Sequence, residues 1–260
     1  MAENLSLAII GAGCIGSRVA KSVADSSLPY AITAICDISS DAATRLQTDF
    51  APKAFIYDLE HALASAEVVI EAAAGGVVPQ LVTQARAVYA SSSLPKHLLV
   101  MSVGGLQDVE FLDAPGPVIH VPSGALGGLD AVQALAVAGL DEVVLTSRKP
   151  PAALGLADLA TEQVLFEGSA ADVIMLYPKN VNVAIALSLA GIGAERTRVR
   201  LVADPQAKRN THHVLARGAA GEIEFTSRNE PFPDNPRTSY LAALSAVAML
   251  KRLAANMQVG

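Results

Sequence analysis

Two periodicities divide this chain. In the first half, short apolar runs alternate with stretches whose apolar residues recur at helical spacing. The runs are "LSLAII" (5–10), "AITAICD" (31–37), "KAFIY" (53–57), "AEVVIEAAAGG" (66–76), "KHLLVMSVGG" (96–105) and "GPVIHVPSG" (116–124). Between the first two, Ile15, Val19 and Val23 recur every fourth residue, and "VVPQLVTQARAVYA" (77–90) also reads as a helix. Strands alternating with helices predict an α/β fold built on a doubly wound parallel sheet. Ligands of such sheets sit beyond the carboxyl ends of the strands. Asp37 and residues 71–76, 102–105 and 123–124 fall at those ends. Glu71 reads equally as a ligand contact or as a buried, hydrogen-bonded structural carboxylate.

After about residue 121 the pattern changes. "VPSGALGGLDAVQALAVAGL" (121–140) predicts a helix, with Ser123 as its cap and Gly127 and Gly128 allowing close packing. Strands follow in "DEVVLTSRKPP" (141–151), "EQVLFEGSA" (162–170), "TRVRLVADP" (197–205), "HHVLARG" (212–218) and "GEIEFTSRNEP" (221–231). One helix, "PKNVNVAIALSLAGIG" (178–193), interrupts them, with Asn180 as its candidate cap. "KPPAALGLADLA" (149–160) reads as a loop. Consecutive strands of this kind predict an α+β domain with a mixed or antiparallel sheet. The end, "NPRTSYLAALSAVAMLKRLAAN" (235–256), reads as one amphipathic helix capped by Thr238 or Ser239, with Lys251 and Arg252 in its later turns. The expected organisation is a first domain over 1–120, on which helix 238–256 packs back, and a second over 121–237 that closes over the first domain's ligand.

Composition removes several classes. At 260 residues and 52% hydrophobic, the chain can bury a large core and is not disordered. The net charge is −6, no basic stripe is present and Trp is absent, so a nucleic-acid interface has no support. The longest apolar stretches, such as 241–250, fall short of the roughly 18 residues that suggest a membrane span. The first residues lack the positive region of a signal peptide. Two cysteines, Cys14 and Cys36, exclude a disulfide scaffold, and no Cys/His cluster has zinc spacing, so no metal is expected. The default is a reduced, cytoplasmic protein.

The first strand ends in Gly11-x-Gly13-x-x-Gly16 and a helix follows, the context in which this motif binds a dinucleotide. Gly11 permits the tight turn, Gly13 lets the backbone approach a pyrophosphate, and Gly16 lets helix and strand pack closely. The helix N-terminus then offers N–H groups to the anion. Cys14 and Ile15 share the loop and join the glycines as cofactor-binding candidates. Cys14 reads as a passive occupant rather than a reactive thiol. Asp37 closes the second strand about 20 residues after Gly16, where a carboxylate meets the ribose hydroxyls and favours NAD over NADP. No arginine follows it immediately, though Ser39 and Ser40 keep NADP use open. The plan is a Rossmann-type oxidoreductase.

Two of the five histidines, His212 and His213, are adjacent in a predicted strand. Successive strand side chains point to opposite faces, so Asn210 and His212 share one face and His213 takes the other. At most one of the pair serves a site, and alternation alone does not say which.

"VPSGALGGLDA", "FEGSA", "YPKNVNVA", "LVADPQAKRNTHH" and "NPRTSYLAALSAVAML", in this order, resemble the L-aspartate dehydrogenase family over nearly the whole chain. The resemblance implies NAD(P)-dependent oxidation of L-aspartate to iminoaspartate, which hydrolyses to oxaloacetate and ammonia, and in some members feeds NAD synthesis. It implies a homodimer. The family's Asn-x-His pattern falls on Asn210-Thr211-His212, which makes His212 the catalytic histidine and Asn210 its companion. The Ser-Gly-Ala cofactor contact falls on Ala125, through its backbone, and the cofactor-contacting asparagine on Asn182. This chain departs from the pattern at Gly75-Gly76, where many relatives carry a polar residue or histidine. A dicarboxylate substrate needs cations, for which Arg148, Lys149, Lys179 and Arg237 are candidates because they stand at strand or helix ends. Two further readings stay open. One is an NAD(P)H-dependent imine or keto-acid reductase of the dihydrodipicolinate reductase or homoserine dehydrogenase type. The other is an NAD(H)-sensing protein without turnover.

Overall fold

The computed structural model describes residues 4–107, 115–156, 159–177, 182–233 and 235–258. Contacts among them group into two compact units, one running to Pro122 and resuming at Ala243, the other spanning Ser123–Ala242.

The first unit is a six-stranded parallel sheet in the order β3-β2-β1-β4-β5-β6. Its elements are β1 (Leu5–Ile10), α1 (Cys14–Ala24), β2 (Tyr30–Cys36), α2 (Ser40–Phe50), β3 (Phe55–Ile56), α3 (Leu59–Ala64), β4 (Val68–Glu71), α4 (Val78–Ser92), β5 (His97–Val100) and β6 (Val118–His120). This is the strand order of a dinucleotide-binding domain, with the topological switch between β1 and β4. Every residue of β4 is buried, as the continuous apolar run requires of a central parallel strand. Leu7, Ile9, Ile35, Ile70 and Leu99 from the sheet share a core with Val19 and Ala20 of α1.

The second unit contains α5 (Leu129–Ala138), β7 (Leu140–Lys149), β8 (Gln163–Ser169), α6 (Ala170–Leu176), α7 (Asn182–Ala190), β9 (Arg198–Ala203), β10 (Asn210–Gly218), β11 (Gly221–Asn229), β12 (Pro231–Phe232) and β13 (Asn235–Ser239). Its main sheet runs β11-β10-β7-β9-β8 and is mixed: β7 and β9 are parallel, the other pairs antiparallel. Helices α5, α6 and α7, with Leu126 of the loop before α5, cover one face, burying Val132, Ala170, Val173 and Leu187 against Val143, Leu145, Val199 and Val214.

The last helix, α8 (Tyr240–Leu253), returns to the first unit. Its Ala246, Val247 and Leu250 join the core of the parallel sheet. The buried Tyr30 of β2 donates its hydroxyl to the Leu250 carbonyl at 2.9 Å.

Four local expectations need correction. Ser123 does not cap α5. The cap position is Gly128, in the left-handed region at φ +68°, and makes no side-chain cap bond. Residues 235–239 are not helical, because β12 offers them a partner through Pro231↔Ser239 and Phe232↔Asn235. The helix starts only at Tyr240, whose N–H reaches the Glu230 carbonyl at 2.9 Å. Ser239 cannot cap it, since its hydroxyl is buried without a hydrogen-bond partner among the described residues. Finally, a second helix, α6, breaks the run of strands, with Ser169 accepting from Asp172 N–H as its N-cap. Asn180 lies outside the described residues.

Candidate active site

Each glycine of the loop after β1 has a different physical reason. Gly11 sits at φ +102°, and a Cβ there would meet the backbone of Ala72 and Ala73 at 2.6 Å. A Cβ on Gly16 would lie 2.0 Å from the Gly11 carbonyl oxygen. These two positions let the loops after β1 and β4 and the start of α1 touch. Gly13 is the exception. Its φ is an ordinary −77°, and a Cβ would meet nothing within 4 Å. Gly13 is also the N-cap of α1 and makes no side-chain cap bond. An open backbone at a helix N-terminus is the arrangement that receives a phosphate. Cys14 and Ile15 start the helix half-buried, Ile15 against the core, and Cys14 is not in a disulfide.

Asp37 stands where β2 ends and is half-buried. One carboxylate oxygen accepts from Ala12 N–H at 2.6 Å, the other from Ser39 N–H at 2.7 Å. The side chain thus fixes the glycine loop while presenting negative charge beside it. Ser39 is the N-cap of α2, accepting from Ala42 N–H. Glu71 turns out to be the structural carboxylate of the two alternatives. It is fully buried and accepts from the amides of Ala73 (2.8 Å), Met101 (3.1 Å) and Ser102 (2.8 Å), joining the ends of β4 and β5. Burial pushes its carboxyl up, and those amides pull it back. Gly75 packs on Gly105, whose Cβ would lie 2.2 Å from the Gly75 carbonyl oxygen, whereas Gly76 faces open space.

In the second unit, β7, β10 and β11 carry one face that changes character along its length. Inward positions start apolar, with Val143 and Leu145, Ala216 and Val214, Ile223 and Phe225. They continue as Ser147 and Lys149, His212 and Asn210, Ser227 and Asn229. The pairing puts His212 between Ser147 and Ser227, and Asn210 beside Asn229. His212 is 2% exposed, and its Nδ1 is hydrogen-bonded to Ser147 Oγ at 2.9 Å. Burial, with a smaller contribution from Lys149, pulls its pKa down to about 3, so the ring is neutral at physiological pH. Ser227 Oγ and Asn229 Nδ2 both donate to the Ala125 carbonyl at 2.9 Å, tying the loop before α5 to this face. Gly127 of that loop lies on the Phe225 ring, which a Cβ would approach to 2.8 Å. Beyond His212 the face opens into a cavity of about 380 Å³, lined by Pro150, Lys208, Arg209, Asn210, Asn229 and Asn235 among others.

Strand alternation correctly separates the two histidines. His213 is on the opposite face, 3.8 Å from Glu224. Two other assignments, made on other grounds, need correction. Arg148 also points away from the His212 face, where Glu162 and Asp204 hold its guanidinium, so it is not a free substrate cation. Asn210 does not orient His212, because Ser147 holds the ring and Asn210 lines the cavity instead. Lys149 is buried on the His212 face. Asn182 opens α7 and is exposed. Lys179 and the Arg237 side chain lie outside the described residues. Ser147, Ser227 and Asn229 escape a residue-by-residue reading. Their signal is the switch from apolar to polar at inward positions of β7 and β11. Among the described residues no group of His, Cys, Asp or Glu could hold a metal, and no helix is long and apolar enough to cross a membrane.

Comparison with known proteins agrees with this layout. Residues 130–253 match the model of the aspartate dehydrogenase C-terminal domain, and residues 6–103 that of coenzyme F420-dependent NADP oxidoreductases. The L-aspartate dehydrogenase of Methanocella arvoryzae is 38% identical, with 98% of each chain covered. The chain belongs to the L-aspartate dehydrogenase family. The Methanopyrus kandleri L-aspartate dehydrogenase is also 38% identical, over 99% of both chains. The crystal structure of aspartate dehydrogenase from Thermotoga maritima is 26% identical and superimposes with a TM-score of 0.77, covering 98% of this chain and 99% of that one.

Proposed function

We propose that this chain oxidises L-aspartate with a nicotinamide dinucleotide, giving iminoaspartate and then oxaloacetate and ammonia, in a reversible reaction that can supply iminoaspartate for NAD synthesis. The observation that carries this reading is His212, neutral and anchored by Ser147 on a polar face, in a chain matched end to end by L-aspartate dehydrogenases. The unit that runs to Pro122 and resumes at Ala243 binds the cofactor, and Ser123–Ala242 handles the substrate. The residues present fit the cofactor: the open Gly13 at the start of α1 would take the pyrophosphate, and Gly11, Gly16, Cys14 and Ile15 shape the loop. Ala125 and Asn182 contribute further contacts, and Asp37 selects NAD.

A bound nicotinamide would supply the acceptor for the hydride of the substrate Cα. In the tautomer that donates Nδ1–H to Ser147, His212 has its Nε2 lone pair to take a proton from the water that attacks the imine. The same nitrogen then returns a proton to the departing amine. Such a group contributes about 10²–10⁴-fold. Asn210 and Asn229 line the neighbouring cavity as hydrogen-bonding groups for the substrate, and Lys208 offers a cation for a carboxylate. The working form is a homodimer in a reducing cytoplasm, which suits two cysteines that form no disulfide.

Cofactor choice tests the first half of this account. Asp37→Asn keeps a side-chain oxygen for one of the two amides but removes the charge that repels a 2′-phosphate. The ratio of kcat/KM for NADP to that for NAD is expected to rise about tenfold, the equivalent of about 1.4 kcal/mol. An unchanged ratio would remove Asp37 from the cofactor site.

A further inference from the structure

Lys149 occupies an unusual place. It ends β7, alternating with the outward Arg148, so it follows Ser147 along the face that carries His212. It is 8% exposed. Its backbone is pinned from the β9 side, by pairing with Ala203 and by Asp204 N–H donating to its carbonyl at 2.9 Å. Ser147, His212 and Ser227 form one rank across β7, β10 and β11. Lys149, Asn210 and Asn229 form the next, and Asn210, Asn229 and the adjoining Pro150 all line the cavity. Lys149 therefore holds the β7 position in the rank whose β10 and β11 members line the cavity, and its charge is near enough to act on His212.

We propose that Lys149 is the base that takes the proton from the ammonium group of the substrate, with the substrate seated in the cavity beside Asn210 and Asn229. This rests on the amino-acid dehydrogenase reading above and gives Lys149 a different task from holding a carboxylate. An amino acid arrives as an ammonium ion, and hydride cannot leave Cα until the nitrogen has a lone pair to form the C=N bond. His212 is too weak a base for that step. An aliphatic ammonium ordinarily releases its proton near pH 10 (about 10.4 for Lys), so a ring held at about 3 faces an equilibrium of about 10⁷ to one against. Burial holds Lys149 at about 8, which leaves about 10² to one, and the oxidation that follows draws it forward. In the step itself, the ammonium N–H bond breaks and its proton joins the Lys149 Nζ lone pair. The freed pair on the substrate nitrogen becomes the second bond of C=N as hydride leaves Cα for the oxidised nicotinamide nucleotide. Lys149 ends as ammonium and His212 is left neutral for the water step. The division of labour follows from basicity.

Among the described residues, several other titratable groups stand around this end of β7. His212 faces it from β10, Arg148 with Glu162 and Asp204 lies behind it, and Lys208 and the Arg209–Glu230 pair stand at the cavity. The substrate amine needs neutral Lys149, so kcat/KM for aspartate should rise with pH and level off above about 8.

The test has two arms. In protein carrying ¹³Cε-labelled lysine, one resonance, absent from Lys149→Arg, should titrate near pH 8 rather than in the ordinary lysine range. In steady-state kinetics, Lys149→Met should lose about 10²–10⁴ in kcat with KM changed by no more than about threefold, and added primary amines should restore part of the rate. Titration of Lys149 in the ordinary range overturns the proposal, as does a Lys149→Met variant that keeps its kcat and its acid limb. The titration needs no turnover, so it judges Lys149 even if wild-type protein fails to oxidise aspartate, an outcome that would instead overturn the substrate reading.

Discussion

His212→Ala is expected to lower kcat for aspartate oxidation by about 10²–10⁴-fold, while the adjacent His213→Ala stays within about threefold of wild type. The difference follows from the strand. Both residues lie on β10, but His212 faces Ser147 with 2% of its surface exposed, and His213 lies opposite, near Glu224. Ser147→Ala removes the partner of Nδ1 without removing the base. Its effect should be smaller, about tenfold in kcat, with little change in KM. The ring also carries a stability signature. Its folded pKa, about 3, is below the ordinary value of 6.5, so the unfolded chain takes up this proton first as pH falls. The stability contributed by keeping the ring neutral is complete above about 6.5 and is lost progressively towards about 3. His212→Ala should flatten that part of the acid-unfolding curve, measured by circular dichroism against denaturant at several pH values. A His213 variant that loses activity while the His212 variant keeps it would reverse the assignment.

Gly16→Ala and Gly13→Ala are expected to separate folding from cofactor binding. At Gly16 the new methyl lies 2.0 Å from the Gly11 carbonyl oxygen, and backbone cannot swing aside as a flexible side chain would. Helix α1 must shift from β1, costing about 1–3 kcal/mol of stability and raising the KM for cofactor at least about tenfold. At Gly13 the methyl meets no protein atom within 4 Å and φ is ordinary, so thermal stability should be unchanged. The cofactor KM should still rise, because the methyl occupies the space over which the pyrophosphate approaches. If Gly13→Ala binds cofactor as wild type does, the open backbone at the start of α1 is not the phosphate site.

The two halves of the molecule were unequally readable from the chain. The parallel sheet follows from local pattern, since each strand is a short apolar run and each helix has its own period. The glycine loop carries its own geometry, and Asp37 stands at a fixed distance from it. In the second unit, alternation was enough to set His212 and His213 on opposite faces. What alternation within one strand does not supply is the neighbour. Ser147 meets His212 across 65 residues of sequence, and only the antiparallel pairing of β7 with β10 makes them partners. The same gap explains Arg148, whose position at a strand end suits a substrate cation until Glu162 and Asp204 are seen to hold it on the other face. Lys149, one residue on, is the cation that the pleat turns inward. Residues 235–239 carry no apolar period of their own and join the helix reading only as its leading, capping segment; β12 instead gives them a strand partner.

The most direct test of the central claim is reduction of NAD or NADP by purified wild-type protein on addition of L-aspartate, with the products assayed. The account predicts aspartate-dependent reduction, with oxaloacetate and ammonia formed in equal amounts to the reduced cofactor and with NAD preferred. No aspartate-dependent reduction of either cofactor would contradict it.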